Sequence, residues 1–296
     1  MPPIGEAPHP RPTTAGELTV DTATSDDWHQ VVRWAADEEW NPGRDDTACF
    51  HPTDPAGFFL GRRAGRAVSA VSVVNYSDRY AFLGYYLVHP DLRGQGLGLA
   101  TWRAAVPHAG ARTVGLDAVP AQQPTYRRAG FTPAYDTIRY GGRPTRPDTV
   151  PPPYVVPVTG SHLDALAAYD RRCFPADRRA FVARWLTAPG HIARAYVRDG
   201  AIAGYGVIRP AHTGHRIGPL FADTPEAAEA LFDALTARVD PSAEVFLDAP
   251  EPRRAAHDLA AGRGLTPRSH TVRMYTGVVP PADGQRTFGV TSLELG

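Results

Sequence analysis

Hydrophobic and polar positions divide this chain into short strands and one-sided helices. Residues 18–23 read as a strand, and Ser25 or Asp26 can cap a helix that gathers Trp28, Val31, Val32, Trp34 and Ala35 on one face. The run Asn41-Pro42-Gly43-Arg44-Asp45-Asp46 breaks that helix. Residues 58–60 and 67–74 predict two strands around a turn at Ala64-Gly65, and 82–88, aromatic and β-branched, predict a buried central strand. A glycine-rich turn follows at 93–98, then a helix over 99–106 stopped by Pro107. Residues 113–119 predict another strand. A short helix through Tyr126 and Arg127 ends at Gly130, and a strand over 135–140 closes the unit. The order of elements predicts a mixed-sheet α/β (α+β) fold.

The turn carries the first chemical signal. A strand feeding a glycine-rich turn that opens a helix presents backbone N–H groups and the positive end of the helix dipole to an anion. Spacing separates the loops that could be meant. A Walker A loop needs Lys and Ser/Thr after its last glycine, and Leu99-Ala100 stands there instead. The dinucleotide fingerprint needs a glycine where Leu99 stands. The pattern that fits is V-x-P-x-x-R-G-x-G-x-G, from Val88 to Gly98. It resembles the acetyl-CoA pyrophosphate loop of the GNAT superfamily of N-acetyltransferases, and the later Tyr126-Arg127-Arg128-Ala129-Gly130-Phe131 resembles that family's Y-x-x-x-G-F close. The resemblance implies that Arg93, Gly94, Gln95, Gly96, Leu97 and Gly98 hold the diphosphate of acetyl-CoA. It also implies a splayed strand at Tyr86, Leu87 and Val88 along which the pantetheine arm pairs, with Arg127 near the 3′-phosphate.

The pattern then starts again. A proline-rich linker over 143–154 leads into a second set of elements. Leu116-Asp117-Ala118 recurs as Leu247-Asp248-Ala249. Gly130-Phe131-Thr132-Pro133 recurs as Gly264-Leu265-Thr266-Pro267, an offset of 134 (264 − 130), and Thr137-Ile138-Arg139 recurs as Thr271-Val272-Arg273 at the same offset. The chain is a duplication. Its expected parts are a tail over 1–16, a catalytic unit over 17–142, the linker, a second unit over 155–278 and a tail over 279–296. The second copy has Pro225-Glu226-Ala227-Ala228-Glu229-Ala230 where the glycine loop would fall, and Ala260 where Tyr126 would fall. Two carboxylates oppose an anion there. The second unit therefore resembles the degenerate second domain of tandem two-domain bacterial GNAT proteins.

Composition narrows the picture only a little. The 31 basic residues, all Arg, balance 31 acidic ones, so net charge argues for neither nucleic acid nor membrane as a partner. No run approaches the ~20 apolar residues of a membrane span. Cys49 and Cys173 stand apart without metal-ligand spacing and read as semi-buried, reduced thiols of a cytoplasmic protein, with no metal expected.

The chemistry implied is attack of a neutral amine, from a small molecule or peptide, on the acetyl thioester, with a proton returned to the leaving thiolate. A phenol can supply that proton, and the family motif places Tyr126 in the role. No carboxylate stands within 81–88. Asp117, His89, Asp45 and Asp46 remain open as general bases, as does a water chain involving Tyr85. Trp40, Asn41, Asp45, Asp46 and Tyr85 are the expected acceptor-side residues. The missing strand carboxylate leaves a second reading, a non-catalytic acyl-CoA sensor, and a monomer or homodimer serves either.

Overall fold

A computed structural model describes residues 17–145 and 152–296; the expected tail 1–16 and part of the linker lie outside the described residues. The first half runs β1 (Leu18–Thr22), α1 (Ser25–Asp37), α2 (Asp46–Phe50), β2 (Phe58–Arg63), β3 (Arg66–Asn75), β4 (Tyr80–Val88), α3 (Leu97–Ala105), β5 (Thr113–Ala118), α4 (Gln123–Arg128) and β6 (Thr132–Gly142). The second runs β7 (Val155–Pro157), α5 (Leu163–Cys173), α6 (Arg179–Thr187), β8 (Ile192–Arg198), β9 (Ala201–Pro210), β10 (His215–Ala222), α7 (Pro225–Thr236), β11 (Val245–Pro250), α8 (Arg254–Gly262), β12 (Thr266–Tyr275) and β13 (Thr287–Gly289). The cap of α1 is Thr24 rather than Ser25 or Asp26. Its hydroxyl accepts from the Asp27 amide, while the Asp27 carboxylate accepts from the Thr24 amide.

The strands join in one sheet, in the order β1-β2-β3-β4-β5-β12-β6-β11-β10-β9-β8-β7. Strand β6 does not close the first unit, as its place in the sequence predicts. It crosses to pair with β11 of the second copy, while β12 returns to pair with β5 of the first. The two exchanged strands then pair with each other along their length. Each copy is thus completed by the other's last strand, and the boundaries 17–142 and 155–278 do not enclose self-sufficient units.

The exchange explains the repeated sequence motifs. Asp117 on β5 faces Arg273 on β12, and Asp248 on β11 faces Arg139 on β6, each in direct cross-strand register. Arg273 grips Asp117 through Nε and Nη2 at 2.9 and 2.8 Å, and Arg139 grips Asp248 the same way at 2.7 and 3.0 Å. All four side chains are buried, so removing one partner would strand a charge at a cost of about 3–5 kcal/mol. Asp248 also accepts from Arg216 at 2.8 Å. Burial works against its ionised form, but the two guanidiniums more than offset it and hold the carboxyl well below the usual range.

Residues 279–296 are not a loose tail. They re-enter the molecule as β13, which pairs with β10 at Leu220 and Phe221, and then run on to the first copy. Phe288 is fully buried, the Val290 amide donates to the Asp248 carbonyl, and the Tyr76 hydroxyl donates to the Leu295 carbonyl. Two glycines 134 residues apart (218 − 84) admit this segment. A Cβ at Gly218 would lie 2.3 Å from the Thr291 carbonyl oxygen, and one at Gly84 would lie 2.0 Å from that of Glu294. The largest apolar core spans both copies, from Trp28 and Phe58 to Trp185 and Tyr205, with Phe50 of α2 stacked on Trp185 of α6 at 5.5 Å. Cys49 and Cys173 are buried free thiols, and burial pushes that of Cys49 up to about 11.

Candidate active site

In the first copy, β4 pairs with β5 only over Tyr80, Ala81 and Phe82, then diverges. Tyr85 adopts a left-handed backbone (φ 48°), and the register against β3 shifts between Ala70 and Ser72. This bulge bends the strand, so that Tyr86, Leu87 and Val88 leave β5 behind and present an open edge. The glycine turn comes directly after. Gly94 and Gly96 both take φ of 77°, where a side chain is strained, and no atom lies within 4 Å of a Cβ built at either. Helix α3 begins at Leu97 with no side-chain cap on its first amides. A Cβ at Gly98 would come within 2.8 Å of Val88 Cγ2 and 3.0 Å of the Tyr86 hydroxyl, so the helix start sits close against the open strand. Uncapped amides, an unfilled cradle over two glycines and a free strand edge fit a diphosphate with an extended arm.

The loop's side chains are braces. Arg93 donates to Glu38 at the end of α1 and, through Nε, to the Val88 carbonyl at 3.2 Å. Gln95 accepts from Arg63 at 3.1 Å. Arg127 lies exposed on α4, its nearest bond a 3.4 Å contact to Gln123 one turn away.

The second copy repeats the geometry and fills it. Strand β10 pairs with β11 only over His215, Arg216 and Ile217, and its register slips beyond Ile217. There β13 occupies the splay against Leu220 and Phe221. Thr224 caps α7 by accepting from the Ala227 amide at 3.3 Å, which takes up an amide that the first copy leaves open.

A cavity of about 680 Å³ lies between the copies. From the first copy it is lined by Trp40, Asn41, Gly84, Tyr85, Tyr86, Asp117 and Tyr126; from the second, by His212, Phe246, Thr271, Leu293 and Glu294 among others. Tyr126 packs among Tyr86, Trp102 and Phe131, with ring centroids 5.9–6.4 Å apart, and burial pushes its phenol well above the usual range.

Expected acceptor residues separate into two groups. Trp40, Asn41 and Tyr85 do line the cavity. The Trp40 carbonyl accepts from Arg139, and the Asn41 amide group exchanges two bonds with the Thr213 backbone, which docks this loop on the second copy. Asp46 does not reach the cavity. It is fully buried and gripped by Arg209 at 2.8 and 3.1 Å, a structural pair between copies. Asp45 is exposed at the start of α2, also away from the cavity. His89 lies in the turn after β4, packed edge-on against Trp34. Glu294, Leu293 and His212 carried no motif, and Thr271 only the repeat; the returning segment brings the first two here, the β9–β10 turn docked on Pro42 brings His212, and the strand exchange brings Thr271. Among the described residues no cluster of three or more His, Cys, Asp or Glu is gathered to hold a metal, and no helix is long and apolar enough to cross a membrane.

Comparison with known proteins agrees with this geometry. The acetyltransferase (GNAT) family profile matches residues 25–131, and an acetyltransferase (GNAT) domain profile matches 166–289. The chain belongs to the GNAT acetyltransferases, as two such domains in tandem, and is an enzyme that takes its acyl group from a coenzyme A thioester. It is 33% identical over 278 residues, 94% of each chain, to the holothin acyltransferase of Pseudoalteromonas sp. (strain SANK 73390). Among solved structures, a Pyrococcus horikoshii protein described as a candidate acetyltransferase superposes with a TM-score of 0.79 at 21% identity, over 99% of this chain and all of that one. A tandem GNAT protein of the clavulanic acid biosynthesis pathway does so with a TM-score of 0.60 at 18% identity, over 90% of this chain and all of its own. A GCN5-related N-acetyltransferase of Sphaerobacter thermophilus gives 0.58 at 17%, over 90% and 97%. These structures share the fold.

Proposed function

We propose that the chain moves an acetyl group from acetyl-CoA to a primary amine of a small molecule or peptide, by direct attack, with Tyr126 as the proton donor. The observation that carries the reading is the cavity where the open edge of β4 and the Tyr126 side chain meet residues of the second copy. In this reading the main chain of 93–98 holds the diphosphate and the edge at Tyr86, Leu87 and Val88 aligns the arm. The carbonyl then faces the cavity, and the acceptor enters between Trp40, Tyr85 and the second copy. Burial keeps the Tyr126 phenol protonated at neutral pH, so the proton is in place when the thiolate departs. The second copy binds no cofactor, because β13 fills its splay and Thr224 caps its helix; its part is to build the acceptor wall. We read the protein as cytoplasmic, a monomer or homodimer, acting on neither nucleic acid nor membrane.

The test is CoA release from acetyl-CoA with the purified chain across a panel of amines that includes holothin, the acceptor in the relative's name. Turnover with at least one amine is expected. Tight acetyl-CoA binding with no turnover across the panel would overturn the proposal.

A further inference from the structure

Of the two carboxylates whose buried side chains belong to the cavity lining, Asp117 and Glu294, the second has the more hydrogen-bonding capacity to spare. Asp117 is held bidentately by Arg273, whereas Asp248, outside the cavity lining, accepts three bonds from Arg139 and Arg216. Glu294 receives only one donor atom, Nη1 of Arg216, shared between its two oxygens at 3.1 and 3.3 Å. An ionised carboxylate has about four acceptor positions, so at least two remain open. The side chain is 3% exposed, and Glu294 is among the residues that line the cavity.

Three observations place this group next to the reacting strand. The Glu294 carbonyl presses on Gly84, the residue before the bulge, at a distance no side chain could tolerate. Tyr85, at the bulge, has a buried hydroxyl with no hydrogen-bond partner, and it lines the same cavity. Burial first, and the nearby Glu294 charge second, push that phenol well above the usual range. An unfilled carboxylate and an orphaned hydroxyl therefore border one space, beside the strand that aligns the thioester. Both would be satisfied by a group rich in N–H.

We propose that Glu294, delivered by the segment that returns from the second copy, seats the acceptor amine and takes its proton, with Tyr85 as the second contact. This rests on the acetyl-transfer reading above. The amine lone pair forms the C–N bond as the carbonyl π pair moves to oxygen. That pair then re-forms the carbonyl and the C–S bond breaks. The proton shed by nitrogen goes to the Glu294 carboxylate, and the thiolate takes one from Tyr126. Arg216 from β10, Tyr85 from β4 and Asp117 from β5 interact with Glu294, and Asp248 from β11 and Asp46 from α2 act on the same Arg216.

The experiment uses the full chain and two variants, Glu294→Gln and Glu294→Asp. The first keeps an oxygen for Arg216 but removes the charge; the second keeps the charge and withdraws it. Benzylamine binding to CoA-loaded protein is measured at equilibrium, beside acetyl-CoA affinity and turnover. A charge-assisted contact predicts benzylamine binding weaker by about tenfold or more in Glu294→Gln, with acetyl-CoA affinity unchanged. Turnover falls about a hundredfold with a basic alkyl amine and much less with aniline, whose nitrogen loses its proton readily to water once bonded. Glu294→Asp, the variant that tolerates the network best, loses at least about tenfold toward the alkyl amine. Parental benzylamine affinity in Glu294→Gln, equal turnover losses for both amines, or parental turnover in Glu294→Asp would overturn the assignment. Absence of turnover in the parent chain would sink the transferase reading alone, since benzylamine binding still reports the seat.

Discussion

The two copies share a splayed pair of strands, yet one splay is open and the other is closed by the chain itself. Beyond Phe82 the first copy leaves a free edge and uncapped amides over Gly94 to Gly98. Beyond Ile217 the second copy has β13 along the edge and Thr224 on the amides. What they retain in common is the Asp–Arg pair that fastens each exchanged strand. Duplication has kept the fastening and, on the proposed function, divided the labour: one copy would hold the donor and the other close around the acceptor.

Five single substitutions and one double control test this comparison. The largest effect is expected at the fastenings. Arg273→Ala leaves Asp117 buried without its guanidinium and should cost toward 5 kcal/mol in denaturant unfolding. Arg139→Ala should cost less, because Asp248 keeps Arg216; equal losses would mean the two fastenings are not distinguished by that extra partner. Next comes Phe288→Ala, which empties a fully buried site in the filled splay and should cost about 3 kcal/mol. It should not confer a second acetyl-CoA site, as the stoichiometry in calorimetry would show. Tyr126→Phe should lower kcat about a hundredfold with little change in acetyl-CoA affinity. Since burial raises the folded-state value of this phenol, it stays protonated through about pH 9, and any alkaline loss below that should survive the substitution. Gly98→Val should weaken acetyl-CoA by about 1–3 kcal/mol, about five- to 150-fold in Kd, through contact with Val88 and Tyr86. As its control, Glu226→Gly with Glu229→Gly in the second copy should create no binding, because the cap and β13 remain.

Local chemistry made the glycine turn, the first helix (though not the residue that caps it) and the repeat readable from the residues alone. Gly94 and Gly96 are needed where the backbone turns left-handed, a requirement visible in sequence. The repeat marked Asp117 and Asp248 as equivalent positions while Asp117 stayed open as a general base, and the ion pairs show what the two have in common. The strand exchange was not legible, since β6 and β12 carry the same alternation whichever copy they join. For the same reason the second copy's cavity wall was invisible, and the run 279–296, with its prolines and small residues, read as a tail. Asp46 looked like a surface acid beside a tryptophan. Only its distant partner Arg209, 163 positions away, turns it into a buried tether.

Because β6 and β12 have traded places, neither half can be cut free with its sheet intact. Severing the chain in the linker would leave each piece holding a strand that belongs to the other, and two bare edges prone to sticking together. A redundant gene copy is ordinarily free to decay or be lost. Here the second copy supplies β12 to the first copy's sheet whether or not it binds anything itself.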